Sequence, residues 1–86
     1  MADLKHNKQA DAIGYLYRCA FYLAKNDQES AEGFLKKAVT GIKRQNLQKI
    51  APLINHPELL ADKSQHLYWA EKILDEYKRL YFLLPN

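Results

Sequence analysis

The side chains able to do covalent, acid–base or metal chemistry are one cysteine, three histidines and ten acidic residues, and they fall into no common motif. Cys19 lies among Leu16, Ala20 and Tyr22 in a segment of helical periodicity. It is far from any helix N-terminus that would lower its pKa, so it reads as a packed thiol and not as a nucleophile. His6, His56 and His66 are scattered, although Asp62 and His66 share a helix face if the last helix begins early enough. Adding His56 would give three metal ligands, but helix-start and surface roles account for these residues more simply. The carboxylates follow helix electrostatics: Asp27, Glu29 and Glu32 open one helix and Asp62 opens another. Glu32 with Lys36 and Asp75 with Arg79 are surface pairs four residues apart. There is no phosphate-binding glycine loop, no paired-histidine zinc motif and no cysteine framework. The expectation is a protein that is not an enzyme, with no catalytic residues, no cofactor and no metal.

Two surfaces could instead serve binding. Between Gly33 and Pro57 the chain carries Lys36, Lys37, Lys43, Arg44 and Lys49 and no acidic residue. Helical geometry sends the first four toward solvent, with Thr40 among them, as a stripe suited to nucleic-acid phosphates. Cations near a helix C-terminus also complement its dipole and aid solubility, and a net charge of +3 is too small to decide between the two. No aromatic residues interleave with the stripe to make a stacking platform. The second surface is aromatic: Tyr15, Cys19 and Tyr22 recur at four- and three-residue spacing opposite Ile13, Leu16, Ala20 and Ala24. Trp69 falls outside the main apolar stripe of its own helix. The first helix is therefore apolar on two sides, either because it is the central helix of a bundle or because Tyr15, Cys19, Tyr22 and Trp69 meet a partner.

The elements that would position these surfaces are all helical. With 86 residues the chain is one domain, and 48% hydrophobic with 27% charged residues is an ordinary globular balance. A single cysteine excludes an intrachain disulfide, and the charged N-terminal residues do not read as a signal peptide. No stretch is apolar enough to span a bilayer, so a cytoplasmic location and no membrane contact are expected. The spacing predicts a flexible segment over 1–7, helices over 8–25 and 27–45, a connector with short helical turns over 46–61, and a last helix over 63–83. Asn26 with Glu29 fits a capping box for the second helix. The first two helices should form an antiparallel hairpin. Pro52 and Pro57 break the connector, but Leu47, Ile50, Leu53, Ile54, Leu59 and Leu60 are too apolar for a free linker. In the last helix Leu67, Ala70, Ile73, Leu74, Tyr77, Leu80, Tyr81 and Leu84 form a broad apolar stripe. The fold class is all-α, a small bundle of three long helices with a proline-containing connector before the last.

Three short likenesses accompany this pattern. Leu16 to Val39, with Tyr22, Ala31 and Ala38 at small and aromatic consensus positions, resembles one tetratricopeptide helix pair, with no second copy. The order hairpin, connector, then a helix containing Ala70-Glu71-Lys72 resembles the microtubule-interacting and trafficking domain, except for the long connector. Gly14-Tyr15-Leu16, Gln28 and Phe34-Leu35-Lys36-Lys37 resemble the small helical subunits of CRISPR effector complexes, which implies basic helices lying along nucleic acid. The first expectation is a non-catalytic helical interaction or small-subunit protein that self-associates or docks on a larger partner through an aromatic helix face. The alternative is a basic accessory subunit of a ribonucleoprotein that contacts phosphates.

Overall fold

The computed structural model describes residues 8–83; the segment 1–7, expected to be flexible, and Leu84 lie outside the described residues. Helix α1 (Lys8–Ala24) buries Ala12, Ile13, Leu16, Cys19, Ala20 and Leu23, a set wide enough to meet neighbours on two sides. It ends at Asn26, the one non-glycine residue described with a positive φ, 61°. The Asn26 amide donates to the Leu23 carbonyl at 2.9 Å and the Asp27 amide to the Tyr22 carbonyl at 2.9 Å, which closes the helix with a Schellman turn. Because Asn26 is committed to that turn, it does not cap the next helix as the spacing suggested. Asp27 does, its carboxylate accepting from the Ser30 amide at 3.1 Å.

Helix α2 (Gln28–Gly41) runs back along α1 and buries Ala31, Leu35 and Ala38 against it. It stops at Gly41 and not near 45, because Ile42 takes an extended conformation (φ −130°, ψ 133°) that returns its side chain to the core. The chain then makes 3₁₀ turns at Arg44–Asn46 and Gln48–Ile50, a short helix α3 (Ala51–Asn55), and 3₁₀ turns at Pro57–Ala61 and Lys63–Gln65. Pro52 and Pro57 occupy first-turn positions, where the missing amide hydrogen has no helical partner to lose. Leu47, Ile50, Leu53 and Leu60 are fully buried, each worth roughly 2 kcal/mol, and this fixes the segment over the helices.

Helix α4 (His66–Leu83) follows the turn opened by Asp62, whose carboxylate accepts from the Ser64 amide at 3.0 Å and the Ser64 hydroxyl at 2.6 Å. It lies antiparallel to α1, starting where His66 meets Asn26 and passing Tyr17 at Tyr77. Helix α1 touches both α2 and α4 along their lengths, whereas α2 and α4 scarcely meet. Helix α1 is therefore the central element. The described residues are all-helical, without a strand, and no helix among them is long and apolar enough to cross a membrane.

Two buried polar residues of α4 tie down the connecting segment. His66 Nε2 donates to the Leu60 carbonyl at 2.6 Å, and Nδ1 lies 3.1 Å from the side-chain amide of Asn26. One imidazole thus joins the α1–α2 turn, the connector and α4. Glu76 accepts from the Lys49 amide at 2.9 Å and from Arg79 Nη2 at 2.8 Å, while Arg79 Nη2 also donates to the Asn46 carbonyl. These charge-assisted bonds satisfy a carboxylate that would otherwise be costly to bury.

Candidate functional site

The four residues expected to make a partner surface are engaged within the chain. The Phe34 ring of α2 enters between Tyr15 and Tyr22 of α1, with centroids at 5.9 and 5.6 Å and interplanar angles of 28° and 7°. Arg18 stands over Phe34 at 5.8 Å, and Lys37 over Tyr15 at 5.5 Å and Phe34 at 5.4 Å. The stack fastens α2 to α1 and leaves the half-buried tyrosines little free ring face. Cys19 is fully buried, and that burial pushes its thiol up to about 12, leaving it protonated and shielded. Trp69 is buried too, because the core-facing side of α4 centres on Trp69, Ile73, Glu76 and Leu80 and not on the Leu67–Tyr81 stripe. The second apolar side of α1 exists because α1 is central.

The basic residues are exposed but do not line up as one row. Lys36 and Lys37 leave α2 about 100° apart, and Lys37 leans onto the α1 rings. Aromatic side chains thus do meet the basic helix, although sequence spacing showed no interleaving. Lys43 is exposed at the end of α2, and Arg44 Nη1 donates to Asn55 Oδ1 at 3.3 Å. Lys49 Nζ sits 3.9 Å from Asp75, an ion pair exposed on both sides. The stretch that lacks acids in sequence is bordered in space by Asp75 and Glu76 of α4.

One uncovered apolar surface lies between α1 and α4, apart from exposed Leu59, Tyr68, Phe82 and Leu83. Tyr17 is 50% exposed, Phe21 44%, Tyr81 56% and Leu67 65%, and it is their grouping on one side that makes a patch. Tyr17 meets Tyr77 at 5.4 Å between centroids, and Tyr77 stacks on Tyr81 at 5.7 Å, so one run of rings crosses from α1 to α4. On α1 this surface contains Ala10, Gly14, Tyr17, Phe21 and Ala24, spaced four, three, four and three residues apart. Such alternation keeps a seam on one side of a helix. The seam is hidden in the sequence because Tyr81 falls within the broad apolar stripe of the last helix and Tyr17 follows Leu16 at the edge of the first helix's core stripe. The signal available was the regular four–three spacing of small and aromatic residues beside a second, complete core stripe.

No group of three histidine, cysteine, aspartate or glutamate side chains converges among the described residues. His66 uses both ring nitrogens internally, Asp62 caps a turn, and His56 Nδ1 lies 3.3 Å from exposed Glu58. A shallow cleft of about 320 Å³ is lined by Gln45, Gln48, Lys49, Glu76 and Arg79, and the Glu76–Arg79 pair there is already joined to the connector backbone. No family model, curated protein or solved structure matches this chain, so the three likenesses rest on their quoted residues alone.

Proposed function

We propose that this chain is a non-catalytic helical interaction protein that docks on another polypeptide through the aromatic face between α1 and α4. In this reading α1, α2 and α4 form a three-helix bundle, and the proline-containing segment locks it from one end. The observation that carries the reading is the ring run Tyr17, Tyr77 and Tyr81 with exposed Phe21 on the same side of α1, which leaves Tyr17, Phe21 and Tyr81 about half exposed although the same fold buries Cys19, Trp69 and every large aliphatic of the connector except Ile54 and Leu59. Aromatic rings are favoured at interfaces because they bring large apolar area with few rotamers to immobilise.

The test is site-specific photocrosslinking in the native cell. A photoreactive phenylalanine analogue at position 21 should give a crosslinked product of defined mass, and the same group at Lys36, on the far side of α2, should give none. Equal yields from both positions, or no product from either, would refute a docking role for this face.

A further inference from the structure

Building on that docking reading, we propose that the occupant of the α1 seam is a second copy of this chain, packed antiparallel, with Tyr17 of each copy seated over Gly14 of the other. In antiparallel helix pairs the two alternating seam positions meet each other across the interface. With the twofold axis level with the Tyr15–Leu16 peptide, the layers become Phe21 against Ala10 and Tyr17 against Gly14, each occurring twice. Each large ring that α1 contributes meets a small residue, so this helix face is complementary in shape to its own inverse.

Gly14 strengthens the assignment. A glycine inside a helix costs up to about 1 kcal/mol relative to alanine, yet a Cβ built at Gly14 meets nothing within 4 Å. The chain's own packing does not require the missing side chain, whereas a tyrosine from a second copy does. Charge agrees as well: Asp11 and Arg18 lie one heptad apart along the same rim of the seam, and antiparallel pairing sets Asp11 of each copy beside Arg18 of the other. The two helix dipoles also oppose. Tyr17, Phe21 and Tyr81 are each about half exposed, and with Tyr77, Leu74 and the small residues they offer on the order of 500 Å² per copy. Doubled, this reaches roughly 1,000 Å², the lower bound for a specific interface and the size range of weak, reversible association.

Sedimentation equilibrium of the full chain from low micromolar to near-millimolar concentration tests the proposal. The parent should rise from the mass of one copy to that of two. Gly14→Leu fills the socket and should weaken association at least about tenfold, or roughly 1.4 kcal/mol, with no loss of melting temperature at dilute, monomeric concentration. Gly33→Leu, equally unobstructed within the chain but on the outer side of α2, should associate like the parent. Asp11→Arg and Arg18→Asp should each weaken association, and the double exchange should restore it. A parent that stays at one copy throughout, or a Gly14→Leu variant that dimerises as well as the parent, overturns the proposal. The crosslink at position 21 separates the two levels: a product of other than two-copy mass with a monomeric parent leaves the docking reading standing and removes the second copy, whereas no product at all removes both.

Discussion

Gly41→Ala should destabilise the fold, although alanine is the better helix former. A Cβ at position 41 would lie 2.6 Å from the Ala12 Cβ and 3.0 Å from the Lys8 carbonyl oxygen. Ordinary contact would need about 1 Å more, so the first turn of α1 must move away from the last turn of α2. Overpacking of this kind typically costs about 1–3 kcal/mol. The helix-propensity gain offsets up to about 1 kcal/mol of it, so a mid-range overpacking cost of about 2 kcal/mol leaves a net loss of roughly 1 kcal/mol. At about 4–8 °C per kcal/mol for a domain of this size, the melting temperature should fall by roughly 4–8 °C. Thermal unfolding followed by far-UV circular dichroism reads this directly. Gly33→Ala is the control, since nothing lies within 4 Å of its added Cβ, and it should raise the melting temperature. Ala12→Gly in the Gly41→Ala background should recover part of the loss, because it removes one of the two clashing partners. A Gly41→Ala variant as stabilised as Gly33→Ala would show that α1 and α2 do not approach each other there.

Further outcomes follow from the buried groups. Glu76→Ala strips the Lys49 amide and Arg79 of their acceptor and should cost roughly 2–4 kcal/mol in urea unfolding, with Glu76→Gln costing less; equal stability of parent and alanine variant would contradict the tie between α4 and the connector. Burial raises the Cys19 thiol from 9.0 to about 12, so between those values the unfolded chain has released a proton that the folded chain keeps. Stability should therefore fall as pH rises through that window, by up to about 1.4 kcal/mol per pH unit from this group, and Cys19→Ala should flatten the slope measured by chemical denaturation. Phe34→Ala removes the middle ring of the Tyr15–Phe34–Tyr22 stack and should cost roughly 2–3 kcal/mol while changing the near-UV tyrosine signal; an unchanged near-UV spectrum would mean the rings are not held together.

Helical periodicity located α1, α2 and α4 to within a few residues, since three- and four-residue spacing depends only on backbone geometry and local side-chain type. The prolines and apolar residues of the connector likewise announced short helical turns fixed over a core. Local competition was harder to foresee. Asn26 could cap α2 or close α1, and it closes α1 because its small amide side chain tolerates the left-handed turn while Asp27 supplies the cap. The end of α2 depended on tertiary burial, the extended turn at Ile42 that returns its side chain to the core, which no local signal carries.

The candidate site divides along the same line. That α1 has more apolar surface than one neighbour can cover is a property of its residues, and so is the presence of the Ala10, Gly14, Tyr17, Phe21 and Ala24 spacing. Which side stays open was decided only by the tertiary arrangement. Placing α2 over Tyr15 and Tyr22, α4 along α1 with Tyr77 against Tyr17, and the connector with its buried Leu47, Ile50, Leu53 and Leu60 over the helices buries Cys19 and Trp69 and leaves Tyr17, Phe21 and Tyr81 exposed. The physical reason is that periodicity reports how apolar each side of a helix is, whereas burial depends on which neighbours arrive and how many sides they can cover.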